Sequence, residues 1–150
     1  MTTSSFTVMT PADLPISVGT PLDGPSKTVI SDQINAHGVV VFRDYGISTA
    51  QNFHDFIEAF DLPNFTYTES FSNAVRHNRT SRVFTANEAP PEVEIFLHHE
   101  MAQTLTFPGQ LFFFCEKPAE KGGATPICRS DHALLALTAL RPEFVAKLRA

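Results

Sequence analysis

Tryptophan is absent from this 150-residue sequence, and cysteine occurs only twice, as Cys115 and Cys128. Two cysteines cannot form the disulfide framework of a small secreted domain, so we predict two buried or half-buried thiols. The longest apolar runs are about five residues, well short of the roughly 20 that a membrane-spanning helix needs. No basic segment followed by an apolar run opens the sequence, so we expect no signal peptide and no membrane attachment. A cytoplasmic protein is the resulting expectation.

Basic residues are also scarce, since 11 Lys and Arg face 16 Asp and Glu, for a net charge of -5. A nucleic-acid backbone requires a basic protein face, so we expect no nucleic-acid partner. The hydrophobic content of 43% is sufficient for a packed core, and the length fits one domain. We place that domain at residues 27–150. A Pro-rich, irregular lead-in over residues 1–26 would precede it, with a short strand at residues 16–18.

Two helices and one strand are predicted in the first half of the domain. Residues 27–37 favour a short helix that Gly38 ends, and residues 39–42 favour a buried strand because they are apolar and mostly β-branched. Ser48 and Gln51 form a capping-box pattern before a second helix. That helix should cover a sheet with one apolar stripe. The stripe consists of Phe53, Phe56, Ile57 and Phe60.

Residues 64–89 are polar and lack a clear period, which predicts a long loop with short strand pieces near residues 82–85. Four basic side chains occur in this loop, and they could meet an anionic substrate or simply be solvated. They are Arg76, His77, Arg79 and Arg82.

His98 and Glu100 are the candidate metal ligands. In a strand, residues two apart point to the same face, so these two would project together while His99 points away. One imidazole and one carboxylate are two of the three ligands in a 2-His-1-carboxylate site for Fe(II). A solvated His-His-Glu edge is the plainer interpretation, and a small zinc site formed by His98, His99 and Glu100 is a third.

An apolar strand is predicted at residues 111–115, followed by a polar turn and the pair Gly122 and Gly123. Two adjacent glycines permit backbone angles closed to other residues, and an ordinary hairpin turn would use them equally well. An extended run containing Thr125 comes next.

Two further helices follow the Thr125 run. Ser130 or Asp131 would cap the first, with leucines on its apolar face, and Pro142 would start the second.

In combination, these motifs resemble the TauD/TfdA family of Fe(II)- and 2-oxoglutarate-dependent dioxygenases, and most closely its branch of syringomycin-type biosynthetic hydroxylases. The family's Leu-His-x-Glu-Met step matches residues 97–101, and its Phe-Phe-x-Cys strand matches residues 112–115. Its Gly-Gly-x-Thr-Pro step matches residues 122–126. The resemblance implies an α+β to mainly β fold. This would be part of a clavaminate-synthase-like double-stranded β-helix, or jelly roll, with flanking helices.

The same resemblance implies roles for three residues and two cofactors. His98 and Glu100 would bind Fe(II), and the Thr125 hydroxyl would hydrogen-bond a carboxylate of 2-oxoglutarate. The reaction would be hydroxylation of a small molecule, such as an amino acid or its derivative, with 2-oxoglutarate decarboxylated to succinate. No further catalytic residue and no substrate-binding residue is assigned.

The family's second His ligand and its 2-oxoglutarate-binding Arg occur downstream of the matched motifs, and we find no match to them in residues 1–150. We therefore expect an incomplete dioxygenase domain that lacks its C-terminal half or assembles as a homo-oligomer. The alternative is a non-catalytic remnant or interaction module that pairs with another chain through an exposed sheet edge.

Overall fold

The computed structural model describes residues 6–65, 76–86, 88–90 and 92–150. It divides into two compact units: the first comprises Met1–Glu94 and His99–Pro118, and the second comprises Ile95–His98 and Ala119–Ala150. The first unit contains β1 (Thr7–Met9), α1 (Gly24–His37), β2 (Val40–Phe42) and α2 (Ala50–Glu58). The second contains α3 (Ser130–Leu140) and α4 (Pro142–Arg149).

The strands β1 and β2 pair in parallel, with Thr7 opposite Val40 and Met9 opposite Phe42. The predicted strand at residues 39–42 is confirmed as β2, although its side chains are half-buried rather than buried. The strand predicted at residues 16–18 was wrong, because the lead-in forms its strand earlier, at β1. A regular strand therefore lies inside the segment that we predicted to be irregular, and the domain boundary at residue 26 stays a prediction.

The helix α1 is confirmed, but it begins at Gly24 rather than Lys27. Asp23 precedes it and accepts a hydrogen bond from the Ser26 amide at 2.8 Å, which satisfies one of the free N–H groups of the first turn. Gly38 ends it at φ 78°, as predicted, and its amide donates to the Ile34 carbonyl at 2.6 Å.

The helix α2 carries the predicted apolar stripe, and Phe56 is at the centre of the larger core, 2% exposed. Its ring packs edge-on against Phe42 of β2 at 5.3 Å, so the helix does cover the small sheet. The capping prediction was wrong by one residue. Thr49, not Ser48, is the cap residue and accepts from the Asn52 amide at 3.1 Å.

Residues 76–86 form a small hairpin-like segment, with an isolated antiparallel bridge between Asn78 and Phe84. The predicted strand pieces near residues 82–85 therefore reduce to one bridge, while residues 66–75 and 87 of the predicted loop lie outside the described residues. Val83 is 7% exposed and packs against Phe53 and Ile57 of α2. His54 of α2 also contacts the segment, with its Nδ1 2.8 Å from the Thr80 hydroxyl.

Residues 111–115 are extended but form no ladder with another strand among the described residues, so the predicted strand is not confirmed. Their side chains nevertheless alternate. Phe112 packs on Phe60 at 4.9 Å and Phe114 on Phe53 at 5.3 Å, whereas Phe113 is 70% exposed. Cys115 faces outward with Phe113. Both Cys115 and Cys128 are free and exposed, so the prediction of buried thiols was wrong.

In the second unit, α3 and α4 pack against each other. Pro142 lies in the first turn of α4, as predicted. The predicted caps of α3 were wrong, because Arg129 occupies the cap position and Asp131 lies inside the first turn. Arg129 Nη2 donates to Asp131 Oδ2 at 2.6 Å, and this hydrogen bond lowers the pKa of Asp131 to about 2. The predicted leucine face of α3 is not buried: Leu135 is 68% exposed.

The described residues thus contain four helices and one two-stranded parallel sheet. This arrangement agrees with the α+β part of the predicted fold class. The double antiparallel sheet of a jelly roll does not occur among the described residues and stays a prediction. None of the described helices combines the length and apolar character needed to cross a membrane.

Candidate functional site

His98 belongs to the second unit and is exposed. Its Nδ1 lies 2.7 Å from the Phe96 carbonyl oxygen, and because a carbonyl can only accept, Nδ1 must carry the proton. In the neutral ring this leaves the lone pair on Nε2. Metal-binding histidines commonly donate their other ring N–H to a backbone carbonyl, which fixes the tautomer and the ring orientation. The His98 ring therefore has the tautomer that a histidine needs to bind a metal through Nε2.

Glu100 belongs to the first unit and is largely buried, with its side chain 17% exposed. Arg76 Nη2 donates to its Oε1 at 3.0 Å, and the Arg76 side chain is itself only 21% exposed. The next residue, Met101, is 4% exposed and has a left-handed φ of 59°. Few non-glycine residues adopt that conformation, which here follows from a tight turn at residues 100–103.

The strand that we predicted at His98 and Glu100 does not form. Residues 97–99 have no regular structure and a turn begins at Glu100. The argument that both side chains share one strand face was therefore wrong, and the two residues belong to different compact units. No group of three or more His, Cys, Asp or Glu side chains with metal-binding spacing occurs in the described parts of the chain. The assignment of both residues as ligands stays a prediction.

Thr125 is exposed in an irregular segment of the second unit. The glycine pair before it has left-handed backbone angles, with φ 72° at Gly122 and 73° at Gly123. A Cβ added to Gly123 would come 2.7 Å from the Cβ of Ala119, so the turn requires a residue without a side chain. No strand flanks the pair among the described residues, which disfavours the hairpin interpretation. The role of Thr125 toward 2-oxoglutarate stays a prediction.

Each side chain of the basic cluster approaches a carboxylate, and His77 and Arg79 are also exposed to solvent. Arg76 pairs with Glu100, as described above. The other three pairs are Arg79 with Glu116 at 3.2 Å, Arg82 with Glu58 at 3.8 Å, and His77 with Glu88 at 3.5 Å.

Of these pairs, only that of Arg76 involves a predicted metal ligand. Sequence reasoning missed it, since the partners lie 24 positions apart in the sequence and no periodic signal joins them.

Comparison with known proteins assigns the sequence to a family. The sequence model described as "Taurine catabolism dioxygenase TauD, TfdA family" matches residues 4–150. The chain belongs to the TauD/TfdA family.

Two curated relatives give more detail. A clavaminate synthase-like protein of Arabidopsis thaliana is 39% identical over 122 residues, which are 81% of this chain and 36% of the relative. The dapdiamide synthesis protein DdaC of Enterobacter agglomerans is 28% identical over 120 residues, which are 80% of this chain and 35% of that protein. The matched part of this chain spans little more than a third of either relative's length.

Proposed function

We propose that this chain is part of an Fe(II)- and 2-oxoglutarate-dependent oxygenase that oxidises a small molecule, with an amino acid or its derivative as the substrate class. The observation that carries the proposal is the ordered set of His98, Glu100 and Thr125 inside a TauD/TfdA match over residues 4–150. The relatives' names, clavaminate synthase-like and dapdiamide synthesis, support a role in the chemistry of small molecules.

The two predicted ligands, an imidazole and a carboxylate, are of the chemical types that a ferrous ion binds. Imidazole and carboxylate are the ligands that non-haem Fe(II) sites use, and the His98 ring already donates its Nδ1–H to the backbone. His98 would bind through Nε2 and Glu100 through Oε2, the oxygen that does not accept from Arg76. The bound ion with 2-oxoglutarate supplies the oxidising chemistry, which the protein side chains lack.

The chain's own residues would bind and orient. The Thr125 hydroxyl can donate one hydrogen bond to a carboxylate of 2-oxoglutarate. Gly122 and Gly123 precede Thr125, are exposed and have no side chains that would obstruct a small anion. The predicted residues provide two protein ligands, and a facial triad needs a third, which we propose comes from a second His outside the matched motifs.

Ferrous-ion binding under anaerobic conditions tests the ligand assignment. His98→Ala removes one imidazole, and we expect the affinity for Fe(II) to fall by at least about tenfold. The matched control is His99→Ala, which should leave the affinity unchanged. An equal loss in both variants would contradict the assignment and favour a site formed by both histidines.

Turnover tests the reaction itself. We expect succinate formation that depends on Fe(II), on 2-oxoglutarate and on His98. The proposal is wrong if succinate stays absent with a broad panel of amino-acid-derived substrates in the longest natural polypeptide that carries this sequence.

The alternative function, an interaction module, is favoured by one observation. Large apolar side chains of the second unit are exposed, among them Leu135 at 68%, Leu140 at 74% and Leu148 at 67%. Sedimentation of the purified chain separates the two proposals. A metal-free oligomer that turns over nothing supports the module, whereas an iron-binding monomer supports the oxygenase.

A further inference from the structure

The Arg76–Glu100 pair differs from the other ion pairs of the loop in its burial. Its side chains are 21% and 17% exposed, whereas those of the Arg79–Glu116 pair are 46% and 45% exposed. We infer that Arg76 is a positioning residue, which holds one oxygen of the Glu100 carboxylate so that the other is directed toward a metal ion. This inference rests on the proposed function, because it takes Glu100 as a metal ligand.

Hydrogen bonds hold the backbone next to Arg76 in place. The residue that follows it, His77, makes two hydrogen bonds with Thr85: its amide donates to the Thr85 hydroxyl at 2.9 Å, and its carbonyl accepts from the Thr85 amide at 2.9 Å. The same hairpin-like segment is anchored to α2 by Val83, which is 7% exposed. The guanidinium therefore extends from a position that the core defines.

Glu100 begins a turn that is also held by hydrogen bonds. Met101 is 4% exposed, and its carbonyl accepts from the Thr104 amide at 3.0 Å and from the Thr104 hydroxyl at 2.9 Å. The Ala102 amide closes the turn by donating to the His99 carbonyl at 3.3 Å. With Met101 buried in the first unit, the backbone at Glu100 has little freedom to move.

The remaining freedom of Glu100 lies in its side-chain torsions, which the hydrogen bond from Arg76 restricts. Arg76 makes its hydrogen bond to Oε1, at 3.0 Å, and a charge-assisted bond of this kind is about twice as strong as a neutral one. A largely buried carboxylate also needs a compensating charge while no metal is bound. Arg76 provides both, and because its hydrogen bond is to Oε1, the lone pairs of Oε2 remain for a metal ion. Ligating carboxylates are commonly held by such outer partners.

Binding of Mn²⁺, an air-stable divalent stand-in for Fe(II) that binds carboxylates well, tests the inference. Arg76→Gln removes the charge and the hydrogen bond, and we expect the Mn²⁺ dissociation constant to rise by about 10- to 100-fold, the usual cost of losing an outer partner. Arg76→Lys keeps the charge and should recover part of the loss. The matched control is Arg79→Gln, which breaks an ion pair of the same segment away from Glu100 and should leave the dissociation constant unchanged.

Two further readouts separate positioning from stability. The electron paramagnetic resonance spectrum of bound Mn²⁺ should change in Arg76→Gln and not in Arg79→Gln, since it reports ligand geometry. Urea unfolding of each variant gives the folded fraction, and the dissociation constants are compared per folded molecule. If Arg76→Gln does not fold, Arg76→Lys carries the test, with an expected loss smaller than that of Glu100→Gln.

Three outcomes would overturn the inference. Unchanged Mn²⁺ affinity in a folded Arg76→Gln would show that Glu100 needs no orienting partner. Tighter binding would show that the guanidinium competes with the metal. Failure of the longest natural polypeptide that carries this sequence to bind Mn²⁺ would remove the proposed ligand site itself, and it would count against the proposed function as well. The first two outcomes leave the proposed function standing.

Discussion

The two compact units differ in what they bury. Among the residues that the structure describes, eleven of the twelve buried apolar ones belong to the first unit, and the second unit contributes only Val145. The helices α2 and α4, one in each unit, carry apolar stripes, and α3 contains four leucines. The stripe of α2 meets β2, residues 76–86 and residues 111–115, whereas no residue of α3 is buried.

This difference shows that an amphipathic pattern predicts a helix but not its burial. Burial needs a second surface of matching shape, and Phe56 has one in Phe42, Tyr45 and Phe60. Leu135 is 68% exposed, so its apolar surface adds little to folding free energy in this structure. The candidate site residues divide in the same way, with Glu100 on the packed unit and both His98 and Thr125 on the other.

The largest expected effect comes from the centre of the packed core. Phe56 is 2% exposed, and Phe56→Ala should lower the free energy of unfolding by about 3–5 kcal/mol, because it removes a buried ring and leaves a cavity. Leu135→Ala should change it by no more than about 0.5 kcal/mol. Urea unfolding followed by circular dichroism measures both. Equal losses of unfolding free energy in the two variants would mean that α3 is buried in solution. The two units would then not differ in burial.

A smaller effect is expected at the start of α2. Thr49→Ala removes the hydroxyl that accepts from the Asn52 amide and should cost about 1 kcal/mol. Ser48→Ala removes only an exposed hydroxyl contact with Asn52 and should cost less than half as much. The same unfolding measurement decides between the observed cap and the cap predicted from the sequence. A larger loss of stability in Ser48→Ala than in Thr49→Ala would show that Ser48 is the cap residue, as predicted.

The smallest effect concerns the start of α3, where an ion pair takes the place of a side-chain cap. The pKa of Asp131 is lowered to about 2 by its hydrogen bond with Arg129, so the stabilisation is present above about pH 4 and is lost as the pH falls toward 2. A carboxyl-carbon NMR titration should give this pKa. In Arg129→Gln it should return toward the ordinary aspartate value of 3.8, whereas Arg141→Gln should leave it unchanged.

Local sequence signals predicted local structure well. Gly38 ends α1 because a left-handed residue closes a helix there, and Pro142 opens α4 because its missing amide is not needed in a first turn. Helix boundaries were predicted less accurately, because Thr49 and Ser48 are both acceptable cap residues. The strand β1 could not be found, because three residues carry too little pattern and its pairing depends on β2.

The candidate site was predicted only in part. The residue types at positions 98, 100 and 125 indicate the chemistry, and the family match supports it. Arg76 could not be joined to Glu100 from the sequence, because the pairing depends on how residues 76–86 pack on α2. The strand geometry that we used for His98 and Glu100 was wrong for the same reason: a turn stabilised by the burial of Met101 replaced it.

The larger core has a consequence for how the protein is made. All of its buried members, from Met9 to Phe60, lie in the first 60 residues, and β1 finds its partner only 33 residues further on. Because a ribosome delivers the N-terminal part first, at about 5–20 residues per second, this core can assemble before Glu100 has been synthesised. Phe112, which is synthesised later, then packs against this core. Arg76 and Glu100 are therefore synthesised after all the buried residues of the larger core.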